Sequence, residues 1–201
     1  MTPPPTKLVL YNGPTSPFAR MTHVIGTELG VDFKDQIIDV YNAEFLDELN
    51  PLRQIPTLVV NDETAIFDSR SIFAYFDAIS EKPSILPGDD FEQATRISLF
   101  LGLTEACLQY RMASVLPDKE RSETSIQKLL VRLNRTLDFI ERNAEKTTSG
   151  DLRLEQMVAA CALEYIDYRY SNAWRDRCPK LDAWVTQFSA RASMVNSRPS
   201  E

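Results

Sequence analysis

The sequence predicts a mixed α/β domain followed by an all-helical domain. Three observations predict it. Short runs rich in apolar and β-branched residues, at 7–11, 33–40, 57–60 and 64–67, alternate with helical patterns in the order βαβα and then ββα, the order of a mixed sheet with helices packed on it. Residues 80–90 break the composition, with two prolines, one glycine and few apolar residues, as a linker does. Beyond that break apolar residues recur only at helical spacing.

Each element has its own signal. Residues 2–6 are a proline-rich stretch expected to be disordered. Residues 7–11 form a short buried strand, and Asn12-Gly13-Pro14 is a turn. Ser16 is a favoured N-cap and Pro17 a favoured first helical residue. The helix they open turns Phe18, Met21, Val24, Ile25 and Leu29 inward and stops at Gly30. A second strand at 33–40 and a short acidic helix at 42–49 follow, closed by Asn50-Pro51. Pro56 stands at the mouth of the third strand, one of the few strand positions that proline tolerates. Asn61-Asp62-Glu63 turns into the fourth strand, and a helix runs from Ser69 to about Ile79.

The second half reads as a bundle. Ala94, Ile97, Leu101, Leu108 and Met112 mark one helix over 91–114. Ile126, Leu129, Leu130, Leu133, Leu137 and Ile140 mark a second, over 122–144. Residues 145–151 read as a polar loop. The stretch 154–170 is apolar on most sides, the pattern of a helix in the middle of a bundle. Pro179 opens a last helix with Leu181, Trp184, Val185 and Phe188, and Trp174 and Trp184 read as core.

Charge and cysteine usage exclude several classes. The 201 residues carry a formal net charge of −7 without a basic cluster, so nucleic acid and anionic membrane are poor partners. No apolar run approaches the roughly 20 residues of a membrane span, and the first residues lack the apolar core of a signal peptide. The three cysteines, Cys107, Cys161 and Cys178, are far apart and odd in number, which fits buried thiols in a reducing compartment. They have no paired metal-ligand spacing, so no metal is expected. His23 is the only histidine, which excludes a mechanism needing two in one chain.

Three stretches carry chemistry, each with a structural alternative beside it. Ser16 caps a helix, or it also donates a hydrogen bond to a bound thiolate where the helix N-terminus adds partial positive charge. A thiol there ionises below its free pKa of about 8.5, and a two-unit drop needs only about 2.7 kcal/mol of preference for the anion. Pro56 begins a strand, or it leaves Ile55 with a free backbone edge on which a peptide pairs as an added strand. Asp68-Ser69 is a second helix cap, or a helix start that holds a carboxylate through Ser69 and faces an ammonium with Asp68.

The strand running into Thr15-Ser16-Pro17-Phe18, the Ile55-Pro56 strand and the Asp68-Ser69 helix start together resemble the glutathione S-transferase family, in its cytosolic, serine-type, bacterial-like form. Ala159-Ala160-Cys161-Ala162-Leu163, Trp174-Arg175 and the run from Pro179 to Trp184 carry the resemblance over nearly the whole chain. It implies a thioredoxin-like, glutathione-binding domain at 1–80 and an all-α C-terminal domain at 91–201 with the electrophile pocket. It implies a cis Ile55-Pro56 bond, Ser16 at the glutathione sulfur with Thr15 as its alternative, and a Ile55 main chain paired with the cysteinyl backbone beside Pro56. Gln54, next to Arg53, falls to the glycyl carboxylate, Ser69 to the γ-glutamyl carboxylate and Asp68 to its ammonium. By the same analogy Phe100, Leu103, Thr104 and Cys107 line the electrophile pocket, and the protein is a cytoplasmic, homodimeric detoxification enzyme. The implied reaction is conjugation of the glutathione thiolate to a small apolar electrophile. A glutathione-dependent lyase, etherase or dehalogenase, a non-catalytic glutathione- or ligand-binding protein, and a structural interaction module that does not bind glutathione are the alternatives. Serine in place of cysteine argues against mixed-disulfide chemistry.

Departures from the family pattern are local. Arg53 stands where relatives have glycine, and Asp68 where many have Glu or Gln. Arg153 and Gln156 replace the Ser/Thr and Asp of a helix capping box, a loss expected to cost about 1 kcal/mol. Arg191-Ala192-Ser193 replaces Arg-Pro-Ser.

Overall fold

A computed structural model describes residues 7–199; the proline-rich stretch at 2–6 lies outside them. The chain divides into two compact units, one of residues up to Leu86 together with those from Ala192 on, the other Pro87–Arg191. The segment from residue 192 thus groups with the sheet, whereas the sequence reading assigned it to the helical domain.

In the first unit β1 (Leu8–Asn12), β2 (Lys34–Ile37), β3 (Thr57–Val60) and β4 (Thr64–Ile66) form one sheet in the order β2-β1-β3-β4. β1 runs parallel to β2 and antiparallel to β3, and β3 is antiparallel to β4. α1 (Pro17–Leu29) and α2 (Ser69–Ile79) pack on each other and on the sheet. Leu10, Met21, Ile25, Leu58, Ile72 and Phe76 are fully buried between these layers, each such side chain contributing about 1.5–3 kcal/mol. This is the thioredoxin-like sheet with a helical C-terminal part.

Local chemistry sets the element ends. Gly30 closes α1 at φ 71°, with Gly30 N–H donating to Thr27 O at 3.1 Å and Val31 N–H to Gly26 O at 2.9 Å, the bonding that left-handed glycine permits. The strand expected at 33–40 is shorter, because Asp39 begins a turn. Its Oδ1 accepts from Tyr41 N–H at 3.1 Å and its carbonyl from Asn42 N–H at 3.1 Å. The acidic helix expected at 42–49 is a 3-10 turn over Glu44–Glu48.

The second unit is helical: α3 (Phe91–Ser114), α4 (Glu123–Arg142), α5 (Ala144–Thr148), α6 (Leu154–Arg169), α7 (Trp174–Arg177) and α8 (Pro179–Phe188). α6 packs along α3, with Met157 to Leu163 all buried. Several expectations are corrected. Residues 145–151 are not all loop, because Ala144 and Thr147 bury one face of α5. Gln156 does take part in the α6 start, its Oε1 accepting from Arg153 N–H at 3.1 Å, which is half of a capping box. Met112 leaves its stripe and is 52% exposed. Trp174 is buried and donates to Asp167 Oδ1 at 2.8 Å, whereas Trp184 is half-buried against Phe188. α8 is followed by α9 (Ala192–Asn196), which belongs to the first unit and packs on α1. No helix among the described residues is long and apolar enough to cross a membrane.

Candidate functional site

The sheet register gathers three of the stretches at one edge. Tyr11 pairs with Thr57, and Leu58 with Ile66. Antiparallel pairing therefore puts the end of β1, the start of β3 and the end of β4 side by side. The turn to Ser16, the loop to Pro56 and the start of α2 all leave from that edge.

Ser16 is the N-cap of α1, in extended backbone, and its Oγ accepts from Ala19 N–H at 3.3 Å. That bond is long for a cap and uses only acceptor capacity, so the hydroxyl proton stays available for an acceptor at the helix start. Thr15 beside it is also half-buried. The turn is closed by Ser16 N–H donating to Gly13 O at 3.2 Å.

Gly13 explains how this turn meets the next loop. A Cβ on Gly13 would stand 2.4 Å from Cδ1 of Ile55, so the end of the Ile55 side chain occupies the space that a larger residue here would need. The Ile55-Pro56 bond is cis. Ladder pairing between β1 and β3 begins at Thr57, which leaves the Ile55 main chain just beyond the sheet. The loop is organised from inside by Asn50, 1% exposed. Its Nδ2 donates to Gln54 O and to Thr57 Oγ1, both at 3.0 Å, while its Oδ1 accepts from Leu52 N–H at 3.1 Å. The Gln54 carbonyl is thereby turned inward and its side chain outward into solvent.

Arg53 has φ 47°, the left-handed region that suits the glycine of relatives. Its guanidinium grips the Asp47 carboxylate with two hydrogen bonds, one of them 2.5 Å. That pair holds the Asp47 carboxyl below the usual carboxylate range and raises Arg53. Arg53 is thus engaged within its own loop.

At α2 the cap is Asp68, not Ser69: Asp68 Oδ1 accepts from Arg70 N–H at 3.0 Å. Ser69 is the first helical residue and is 5% exposed. Phe100, Leu103, Thr104 and Cys107 belong to the second unit, on α3, and are 0–2% exposed. Thr104 Oγ1 donates back to Phe100 O at 2.9 Å. Burial pushes the Cys107 thiol up to about 12, so it is no nucleophile near neutral pH.

Residues 15–79 match the glutathione S-transferase N-terminal domain family. The uncharacterized GST-like protein YibF of Escherichia coli K12 is 28% identical over 193 residues, 92% of this chain and 95% of that protein. A glutathione transferase family member from Pseudomonas fluorescens Pf-5, solved with bound glutathione, superposes with a TM-score of 0.89 at 28% identity over 97% of this chain and 100% of that one. Residues 15–79 are a glutathione S-transferase N-terminal domain, and the likeness to glutathione transferases extends over nearly the whole chain. A glutathione S-transferase from Methylobacillus flagellatus KT, also with glutathione bound, gives 0.91 at 25% identity over 96% of this chain and 100% of that one.

Within this family frame the sequence reading overlooked four residues that shape the site's edge: Asn12, Gly13, Asp35 and Asn50. Asn12 and Asn50 are buried polar side chains, 6% and 1% exposed. Each signals only as a turn residue in the sequence, since its partners lie on other elements. Asn50-Pro51 read as a helix stop, yet Asn50 is what bonds the Gln54–Thr57 loop.

Proposed function

We propose that this protein is a glutathione S-transferase that binds glutathione at the sheet edge shared by Ser16, Ile55 and Ser69, and transfers its thiolate to a small apolar electrophile. The observation that carries the reading is the register that brings two helix starts and the unpaired end of β3 to one edge. Relatives of similar fold hold glutathione. Ser16 Oγ–H donates to the sulfur and favours the anion, aided by the partial positive charge of α1. Ile55 offers its main chain to the cysteinyl backbone beside Pro56, and Gln54 reaches the glycyl carboxylate. Ser69 and the free N–H groups of α2 take the γ-glutamyl carboxylate, and Asp68 faces its ammonium. Positioning the thiolate against the acceptor then supplies the remaining rate enhancement.

The acceptor site is assigned to residues 87–191; Phe100, Leu103, Thr104 and Cys107, expected to line it, are 0–2% exposed in the core of that unit and present no surface to an acceptor. The active species is assigned as a cytoplasmic homodimer, consistent with buried thiols at Cys107, Cys161 and Cys178 and with exposed Ile37, Tyr41, Phe45 and Leu52 on the first unit. Calorimetry with glutathione, then turnover on a panel of aryl halides, aryl ethers and activated alkenes, tests the assignment. Binding with conjugation of apolar acceptors is the expected result. Cleavage of ethers or halides alone would make the protein a lyase or dehalogenase; binding without turnover would leave a glutathione-binding protein.

A further inference from the structure

Asp35 lies on β2, the edge strand, and two side chains from neighbouring elements meet on its carboxylate. Asn12 Nδ2 donates to its two oxygens at 3.1 and 3.3 Å. His23, on α1, places Nδ1 2.8 Å from Oδ2. A carboxylate only accepts, so this contact assigns the proton to Nδ1 of His23. Asn12 is 6% exposed, and its other end is committed too: Oδ1 accepts from Gly13 N–H at 2.6 Å. Its carbonyl accepts from Ile38 N–H at 2.8 Å. Gly13 O in turn receives Ser16 N–H. An unbroken series of hydrogen bonds therefore runs from His23 and Asp35 through Asn12 and Gly13 to Ser16.

The direction of that series is fixed from both ends, by Asp35 and by Gly13 N–H. An amide side chain has one donating and one accepting end. With Asp35 ionised, only the NH2 end of Asn12 can face it, so the carbonyl end must face Gly13 N–H. Without Asp35 the two Asn12 orientations come closer in energy, and one of them sets NH2 against N–H. Packing does not hold the turn from that side, because a cavity of about 230 Å³ borders Asn12, Gly13, Pro14, His23 and Asp35. On its other side Gly13 faces the end of the Ile55 side chain and the Ile38 carbonyl.

We infer that Asp35, oriented by His23, is a positioning residue that fixes the Asn12–Ser16 turn and so places the Ser16 hydroxyl at the thiolate; the catalytic half of this inference rests on the reading of Ser16 given above. Asp35 touches no substrate. Its effect reaches the sulfur only through Asn12 and the turn.

The test uses the full chain and the variants Asp35→Ala, Asp35→Asn and His23→Ala, with Ser80→Ala as a reference. Ser80 Oγ donates to Leu29 O at 2.8 Å, at the opposite end of α1, so its loss lowers stability without touching the turn. Amide hydrogen exchange at Gly13 and Ser16 is read in the free protein, and kcat and the Kd for glutathione are read beside it. In Asp35→Ala, exchange at both amides is expected to rise about tenfold over that in Ser80→Ala, the size of one lost hydrogen bond to a charged group. Its kcat is expected to fall about tenfold while Kd stays within a few fold. Asp35→Asn keeps an amide oxygen for Asn12 Nδ2 and is expected to recover most of both effects. His23→Ala, the mildest change, is expected to move them the same way by a few fold, and it decides the matter if Asp35→Ala does not fold. Exchange in Asp35→Ala and His23→Ala equal to that in Ser80→Ala, or no recovery in Asp35→Asn, would overturn the inference. A wild-type chain that does not bind glutathione would remove the functional reading instead, and the exchange measurement would still decide the positioning claim.

Discussion

The starts of α1 and α2 look alike in sequence and are built differently. Both open with a short polar residue whose side-chain oxygen caps the helix. At α1 the cap is Ser16 itself, at the end of a turn bonded through the buried Gly13 and Asn12 to Asp35. At α2 the cap is the exposed Asp68, which leaves the buried Ser69 as first helical residue, outside the capping role. On the proposed reading, the first helix start is held for geometry and the second for binding. A hydroxyl that acts on a developing anion needs a fixed place, whereas a carboxylate at a helix N-terminus is served by several N–H groups at once.

The sharpest way to break the comparison is to remove each serine in turn. Ser16→Ala is expected to lower turnover about 10- to 100-fold, the scale of one hydrogen bond to a charged group, with glutathione affinity within a few fold of wild type. Ser69→Ala is expected to weaken binding by about tenfold, the lower end of that scale because the α2 N–H groups remain, with turnover at saturating glutathione near wild type. Steady-state kinetics beside calorimetry reads both. An exchange of the two patterns would place Ser69 at the sulfur and Ser16 at the γ-glutamyl end.

The glycine of the first turn sharpens the contrast further. Gly13→Ala brings a methyl within 2.4 Å of Ile55 Cδ1 and is expected to cost about 1 kcal/mol, because the clash is with the end of one flexible side chain. Ile55→Val removes that carbon. The double variant is expected to recover most of the loss in urea denaturation, whereas equal stability of single and double variants would show that the turn is held some other way.

The smallest effect lies away from both helix starts. Burial pushes Cys107 up to about 12 and Cys178 up to about 11, from an ordinary value of 9.0. Once pH passes the ordinary value the unfolded thiols release protons that the folded ones keep. Stability contributed by the neutral buried thiols is therefore complete below pH 9.0, declines above it and is lost as pH rises through about 11 and 12. Urea midpoints at pH ~8 and ~10 are expected to show the decline, and it should shrink in Cys107→Ala. Near neutral pH the native thiols should resist alkylation and all react after denaturation.

What the sequence reveals follows the range of the interactions. The caps at Ser16, Asp68 and Gly30 and the full length of α2 and α3 are local, set by residues within a few positions of one another, and they read directly. The helical turn at Ala144–Thr148 and the partial cap by Gln156 differ from what the sequence predicts. There the deciding fact is which side chain an adjoining element buries or reaches. Asp35 was not legible at all. It sits in a short, half-exposed strand, and its importance comes from Asn12 and His23, 23 and 12 residues away. Pairings at that distance leave no periodicity in the chain. Trp174 read correctly as core because a large aromatic among helical apolar positions has few other places to go, but its bond to Asp167 was not visible.

The account rests most directly on the state of the glutathione sulfur at Ser16. Ultraviolet absorbance of the thiolate, followed against pH with glutathione bound to the wild-type chain and to Ser16→Ala, measures that state. The account predicts that the wild-type complex ionises well below the free thiol's value of about 8.5, and that the variant titrates about one to two units higher than wild type, the equivalent of roughly 1.4–2.7 kcal/mol. Coincident curves for the two proteins would contradict it and leave Ser16 as a helix cap alone.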